Sequence, residues 1–291
     1  MRERLRAGSR VRLIPASSFT VEALVSLYNQ GRIDYTVPMP MTATDLGEYV
    51  RIYEVDLKRS VVAMMDGEPA GLNMLGVRPD HTWITRLEVI PDKRGCGLGQ
   101  RMMEYLIERS RELAVSTITL EVIKHNEPAY RLFRKLGFRE TRELLVLQRP
   151  PSPPTHAAPD YAVQHLDQKQ AMTRLRCRRS VPSWLDELPS LRNAGGLSAL
   201  QVELNHGDWG WLTYQKTPEQ LSRLVLQAEV GDPHRVGLAL THALYARFPN
   251  TETKSENLPI TDPHWPAMRE SGFVEAFRRI EMQRDMNEDP R

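Results

Sequence analysis

The alternation of hydrophobic and polar positions divides the chain into two runs of strand and helix. In the first run Val11–Ile14 is a short apolar strand. Thr20–Asn29 follows as a helix, with Val21, Leu24, Val25 and Tyr28 at helical spacing. Asp45–Tyr53 is a second helix, for which Thr44 or Asp45 is the N-cap. Ser60–Met65 and Ala70–Gly76 flank Asp66-Gly67, a dipeptide suited to the positive φ angles of a tight hairpin turn. Thr82–Val89 is a strand, and Leu98–Leu113 is an amphipathic helix with Leu98, Met102, Leu106 and Leu113 on one face. Ser116–Ile123 is a strand, Glu127–Leu136 a helix, and Arg142–Gln148 a closing strand. This order predicts an α/β domain of the α+β kind, built on a mixed sheet.

A segment rich in proline, Pro150–Pro159, interrupts the pattern near the middle of the chain. Five prolines in ten residues remove backbone donors and favour extended geometry, so the segment reads as a semi-rigid spacer. The domains expected are therefore 1–149 and 160–291, joined by a linker at 150–159. The total of 291 residues fits two domains. The halves differ in charge: the first carries 23 Lys and Arg against 19 Asp and Glu, the second 16 against 18, so a net of +2 hides +4 and −2.

Composition narrows the function classes. With 41% hydrophobic and 26% charged residues the chain is of ordinary globular type. Near-neutral charge argues against broad nucleic-acid binding. No apolar run is long enough to span a membrane, and the basic start MRERLRAGSR lacks the apolar core of a secretory signal. Two cysteines, Cys96 and Cys177, make no disulfide framework and no metal-ligand spacing. A reduced, cytoplasmic setting without a metal is expected.

Candidate chemistry concentrates in Leu87–Gln100, Leu-Glu-Val-Ile-Pro-Asp-Lys-Arg-Gly-Cys-Gly-Leu-Gly-Gln. A strand stops at Pro91, a glycine-rich turn follows, and a helix starts near Leu98. Gly95, Gly97 and Gly99 can expose successive backbone N–H groups, and the helix adds its unpaired first donors and the positive end of its dipole. Together they suit phosphate or pyrophosphate. The spacing G-x-G-x-G fits neither a dinucleotide fingerprint nor a Walker A loop; by itself it also suits a tight strand–helix turn. A second segment, Leu120–Asn126, ends a strand at Asn126. A helix bearing Ala129, Leu132, Phe133 and Leu136 follows, then Gly137-Phe138, with Gly137 suited to the left-handed position after a helix.

In their order and separation, these two segments resemble the GNAT acyltransferase superfamily, over roughly residues 11–149. The motifs are R-G-x-G-x-[GA] after a strand and N-x-x-A-x-x-L-[YF]-x-x-x-G-F one strand later. The resemblance implies the tandem acyl-CoA N-acyltransferase (GNAT) fold. It also implies acetyl-CoA or another acyl-CoA as cosubstrate and a small-molecule or peptide amine as acceptor, in a monomer or homodimer. Carried over, Arg94, Gly95, Cys96, Gly97, Leu98, Gly99 and Gln100 would hold the pyrophosphate. Leu87 and Val89 would pair through their backbone with the pantetheine arm, where the strands ending at Val89 and Ile123 splay apart. Asn126 would reach the arm or the thioester, and the Val89 N–H would face the oxyanion. Cys96 is no nucleophile in such a scheme, because the acyl group passes directly to the amine.

Direct transfer needs a base for the amine proton. Glu88 and Glu121 are the carboxylates nearest the inferred cleft, acting directly or through water. Either is equally readable as a strand glutamate that faces solvent or pairs with Arg86. Many family members carry Tyr where this chain has Phe133: the ring remains and the acidic hydroxyl is gone. Tyr130 sits elsewhere around the helix and does not replace it. A non-catalytic acyl-CoA-binding protein is the competing expectation.

The second half echoes the first. Arg235–Tyr245 parallels Gly95–Tyr105, with Gly237 at Gly97, and Thr261–Phe273 parallels Asn126–Phe138. Gly95 falls beside Val236, Gly99 at Ala239 and Asn126 at Thr261, so the second copy reads as degenerate. Arg174, Arg176, Arg178 and Arg179 read as a solvated helix face or a patch for an anionic partner. Trp184, Trp209, Trp211 and Trp265 read as core.

Overall fold

The computed structural model describes residues 10–35, 37, 39–157 and 160–288. Most of the basic start and the last two residues of the proline-rich segment, Ala158 and Pro159, lie outside them. In chain order the first half contains β1 (Val11–Pro15), α1 (Val21–Gly31), α2 (Ala43–Ile52), β2 (Val61–Met65), β3 (Glu68–Val77), β4 (His81–Val89), α3 (Leu98–Glu112), β5 (Thr117–Ile123), α4 (Glu127–Lys135) and β6 (Arg139–Arg149). The second half contains β7 (Tyr161–Leu166), α5 (Gln168–Arg176), α6 (Leu188–Ala194), β8 (Leu197–Leu204), β9 (Trp209–Lys216), β10 (Gln220–Val230), α7 (Pro233–Arg247), β11 (Glu252–Pro259), α8 (Trp265–Glu270) and β12 (Val274–Asp285).

The expected elements of the first half all appear. Asp66 and Gly67 both have positive φ, as the hairpin between β2 and β3 requires. The N-cap of α2 lies earlier than expected: Thr42 caps, and Asp45 is the third helical residue that closes a reciprocal capping box, accepting from the Thr42 N–H at 2.8 Å. The buried face of α3 is Leu98, Met102, Met103, Leu106 and Ile107. Along β5 the pleat buries Ile118, Leu120 and Val122 and turns Glu121 to the other face.

The chain folds into two compact units whose boundary departs from the linker. One is built from the chain up to Thr141 and takes in Glu281 and the residues after it; the other is Arg142–Ile280. In the first unit β1–β4 are consecutive antiparallel neighbours, β5 joins β4 in parallel, and the end of β12 lies beside β5. In the second, β7–β10 are antiparallel and β11 joins β10 in parallel. The outer neighbour of β11 is Leu144–Arg149 of β6. The first half therefore contributes most of its closing strand, and the second half the end of its own, to the other half's unit. The expectation that Arg142–Gln148 closes the first sheet is corrected on this point. Periodicity specifies that a strand forms but not which edge receives it.

The exchange brings a buried guanidinium to a helix end in each unit. Arg149 is fully buried and donates to the carbonyls of Ser271 at 2.7 Å, Ser152 at 3.1 Å and Pro153 at 2.9 Å, with the Tyr245 ring 3.5 Å from its carbon. Arg284 donates to the Leu136 carbonyl at 2.6 Å. Ser271 and Leu136 end α8 and α4, and Gly272 and Gly137 follow them at φ +93° and +86°. A cation there meets the negative end of the helix dipole and its orphan carbonyls. Arg149→Met leaves the buried Ser271 carbonyl without this donor, at about 1–3 kcal/mol where relaxation is incomplete, and also removes the bonds to the less buried Ser152 and Pro153 carbonyls. A loss of roughly 3 kcal/mol is expected from urea denaturation followed by circular dichroism. Arg284→Met, at a half-buried site, should lose about 1 kcal/mol. Equal losses for the two variants would contradict this account.

Candidate active site

The cleft of the first unit begins with a bulge. Leu72 pairs with Glu88 and Met74 with Thr85, so Asn73 alone faces both Arg86 and Leu87, and Arg86 takes φ +56°. On the other side of β4, parallel pairing with β5 runs from His81–Thr117 to Ile84–Leu120 and ends there. The strands part beyond it, as expected. Ile90 N–H donates to Ala70, so on the alternating ladder the Val89 N–H turns away from β3 and toward the gap.

The turn after β4 is a row of free donors. Gly95 and Gly97 take φ +77° and +86°, and Gly97 is the residue before α3. A side chain at Gly97 would meet no protein atom within 4 Å; the requirement for glycine there is conformational. The N–H groups from Gly95 through Gln100 find no acceptor among the described residues, and the first bond of the helix is Arg101 N–H to the Gly97 carbonyl. Gly99 has ordinary helical backbone and lies beside Leu132, whose nearest atom would be 3.6 Å from an added Cβ.

The side chains of the loop are engaged within the unit. Arg94 was expected to hold pyrophosphate. Instead its guanidinium donates to both carboxylate oxygens of Asp34 at 2.7 and 2.8 Å, to the Gly31 carbonyl at 2.7 Å and to the Val89 carbonyl at 2.9 Å. The hydrogen bonds from Arg94 hold Asp34 below the usual carboxylate range. Arg94 therefore ties the end of α1 to β4, and the Val89 carbonyl is taken. Cys96 donates its Sγ–H to the Lys93 carbonyl at 2.9 Å. Gln100 lies between Glu104 and Lys135, at 2.7 and 2.8 Å. Leu98 is core.

The two candidate carboxylates have separate environments. Glu88 is 5% exposed, so it does not face solvent. Its partner is Arg32, whose Nη1 donates to Oε1 at 2.7 Å. Gly31 makes room: a Cβ there would lie 2.8 Å from the Glu88 Cβ. Burial raises the Glu88 carboxyl pKa, opposed by the charges of Arg32, Arg86 and Arg94. Glu121 accepts from the Trp83 indole at 2.7 Å. Arg86 stacks on the Tyr49 ring at 4.4 Å and donates to the Tyr28 hydroxyl at 3.1 Å. Burial pushes Tyr49 up to about 12.

Asn126 stands before α4, where its Oδ1 accepts from the Ala129 N–H at 3.3 Å and its Nδ2 donates to the Tyr35 hydroxyl at 2.8 Å. Phe133 is 6% exposed and packs on Phe138, with ring centroids 6.2 Å apart. Its ring belongs to the core of the unit. Arg32, Asp34 and Tyr35 belong to no motif of the sequence. They lie in the turn after α1, and only tertiary packing brings them to β4 and Asn126.

The second unit has the same plan with its cleft filled. Gly210 packs against the Gln227 carbonyl as Gly71 packs against the Glu88 carbonyl, which sets Gln227 in the place of Glu88 and Ala228 in that of Val89. The Ala228 N–H donates to His264 Nε2 at 3.0 Å, and its carbonyl accepts from Arg179. Between β10 and α7 stand Gly231 and Asp232, and the Asp232 carboxylate accepts from the N–H groups of His234 and Arg235. A residue of the chain thus occupies the helix end that the first unit leaves open. The expected equivalence of Gly237 with Gly97 is corrected: Gly237 lies inside α7 at the close approach to Ala267. The arginine cluster is corrected too, since Arg178 is directed inward and Arg179 caps a strand edge. Trp184 and Trp211 are core, and Trp209 and Trp265 pack at its margin.

A bulged strand, a splayed parallel pair and a donor-lined turn define an acyltransferase type of fold. Residues 25–138 match the model of the acetyltransferase (GNAT) family. The ribosomal protein bS18-alanine N-acetyltransferase of Escherichia coli (strain K12) is 33% identical over 75 residues, 26% of this chain and 51% of the relative. The streptothricin acetyltransferase of Streptomyces lavendulae is 31% identical over 90 residues, 29% of this chain and 46% of the relative. The chain thus spans about half the length of these curated relatives. A GCN5-related N-acetyltransferase from Sphaerobacter thermophilus aligns over 97% of both chains, with TM-score 0.69 at 19% identity. A tandem GNAT protein from the clavulanic acid biosynthesis pathway aligns over 97% of this chain and 100% of its own, with TM-score 0.64 at 13% identity. The chain has the tandem GNAT fold. No helix among the described residues is long and apolar enough to cross a membrane.

Proposed function

We propose that the protein is an N-acyltransferase that moves an acetyl group from acetyl-CoA to a primary amine at its first unit. The observation that carries this is the run of unsatisfied N–H groups from Gly95 to Gln100 beside the gap where β4 and β5 part. The first N–H groups of a helix have no partner within the helix, and an anion with several oxygens satisfies such a row. In this reading the pyrophosphate is held by backbone rather than by Arg94, whose role is to position the turn after α1. The Val89 N–H faces the oxyanion. Glu88 receives the amine proton through water, its raised pKa bringing it nearer to neutral pH than an ordinary carboxylate. Glu121 holds Trp83 in place.

Isothermal calorimetry with acetyl-CoA tests the site. One molecule per chain is expected, because Asp232, His264 and Arg179 fill the matching positions of the second unit. At a hundredfold excess over Kd, the ligand should stabilise the folded chain by about 2.7 kcal/mol. Two sites per chain, or none, would contradict the proposal. The missing hydroxyl at Phe133 favours a second reading, a non-catalytic acyl-CoA-binding protein. Release of CoA thiol across a panel of primary amines separates the two.

A further inference from the structure

The leaving thiolate of an acyl transfer gains from a proton, and Phe133 has none to give. The hydroxyl and thiol groups near the cleft are mostly committed. Tyr28 donates to the Met39 carbonyl at 3.1 Å while accepting from Arg86. Tyr49 shares its hydrogen with Thr85 at 2.6 Å, and Tyr130 donates to Glu140. Cys96 donates to the Lys93 carbonyl. Tyr35 differs. Its oxygen accepts from Asn126 Nδ2 at 2.8 Å, and its hydroxyl hydrogen has no acceptor among the described residues.

The ring of Tyr35 is also held from the opposite side. The Arg32 guanidinium carbon lies 3.8 Å from its centroid, and Nη1 of the same group pairs with Glu88 at 2.7 Å. One phenol is thus separated from the Glu88 carboxylate by a single guanidinium and bonded to the amide that begins α4. It bridges the two strand ends that part beyond Ile84 and Leu120. The titratable and charged groups facing it are Arg32, from the turn after α1, and Tyr28 of α1, with Glu88 of β4 behind Arg32; Asn126, from the turn before α4, is neutral.

We propose that Tyr35 is the proton donor to the departing CoA thiolate, in place of the hydroxyl that Phe133 lacks; this rests on the acyltransferase reading above. The amine nitrogen bonds to the thioester carbonyl carbon and loses a proton to Glu88 through water. The C–S bond then breaks, its electron pair stays on sulfur, and the Tyr35 O–H proton moves to that sulfur. The phenolate is stabilised by the Arg32 cation over its ring and by the Asn126 amide. It regains a proton from Glu88 by way of solvent. The sum is acyl-CoA plus amine giving amide plus CoA thiol.

The test compares the full chain with Tyr35→Phe, which keeps the ring and its stacking on Arg32. Acetyl-CoA affinity is measured by calorimetry. Turnover is measured as thiol release from acetyl-CoA, with the fastest amine of the panel or, where none is accepted, with water. Tyr35→Phe should bind acetyl-CoA as the wild type does and turn over about 10²-fold more slowly. The double variant Tyr35→Phe/Phe133→Tyr should recover at least tenfold, and His125→Ala, at the exposed residue before Asn126, should keep the wild-type rate. Replacing Tyr35 by difluorotyrosine should move the alkaline limb of the rate profile to lower pH. An unchanged rate in Tyr35→Phe, an unmoved alkaline limb, or a loss confined to acetyl-CoA affinity overturns the proposal. A wild type that does not bind acetyl-CoA overturns the acyltransferase reading itself.

Discussion

Gly97→Asp is expected to abolish acetyl-CoA binding, by at least 10²-fold in calorimetry, while the chain keeps its fold. Three features of the position set this effect. Gly97 has φ +86°, a region that Asp tolerates better than most residues, at a cost of about 1–2 kcal/mol. The space around it is open, with no atom within 4 Å of an added Cβ, so the protein need not move. The new carboxylate would stand among the free N–H groups of Gly95–Gln100, where the pyrophosphate is proposed to bind. Losing two charge-assisted hydrogen bonds, at about 1.5–3 kcal/mol each, already exceeds a hundredfold in affinity. The second unit contains the natural counterpart, because Asp232 accepts from the first amides of α7. Gly97→Ala separates the causes: it adds the backbone strain without the charge and should weaken binding far less. Equal losses in both variants would mean that conformation alone governs the loop. Undiminished binding in Gly97→Asp would remove the loop from the site.

Most of the scaffold of this site is local, and local patterns are what a sequence displays. The hairpin at Asp66-Gly67, the glycines before α3 and the left-handed Gly137 and Gly272 are backbone requirements that only a few residue types meet, so they are legible residue by residue. The groups that complete the site are not local. Arg32 reaches Glu88 across 56 positions, Arg94 reaches Asp34 across 60, and Asn126 reaches Tyr35 across 91. No spacing rule connects such pairs; they meet because Gly31 lets α1 approach β4. The exchange of closing strands is hidden for a related reason. β6 and β12 carry similar strand patterns, and only in the paired sheets does Arg149 meet the Ser271 carbonyl and Arg284 the Leu136 carbonyl. The worn state of the second copy shows partly in sequence, as lost glycines. Its physical basis, Asp232, His264 and Arg179 satisfying the groups a ligand would need, appears only once the strands are paired.

Glu88→Gln should lower turnover about 10²–10³-fold near neutral pH and remove the acidic limb of the rate profile. The sign follows from the environment of the carboxyl. Burial raises its pKa, with Arg32 opposing, so the wild-type base is protonated and the rate falls as pH drops through a value above the ordinary 4.5. A glutamine has no such transition, and its residual rate should be flat there. The same shift has a consequence for stability, with opposite direction. Because the folded chain holds this proton more tightly than the unfolded chain, ionising Glu88 costs folding free energy. That cost is absent below the ordinary value and complete above the raised one. Wild-type stability should therefore lose this contribution as pH rises through the window, and Glu88→Gln should not. The amide oxygen of Gln still accepts from Arg32, which limits the damage of leaving a buried cation without its counter-charge. Rate profiles of thiol release and urea denaturation at several pH values measure both effects. A limb that persists in Glu88→Gln but vanishes in Glu121→Gln would transfer the base to Glu121. Its indole partner Trp83 would then have to release it during turnover.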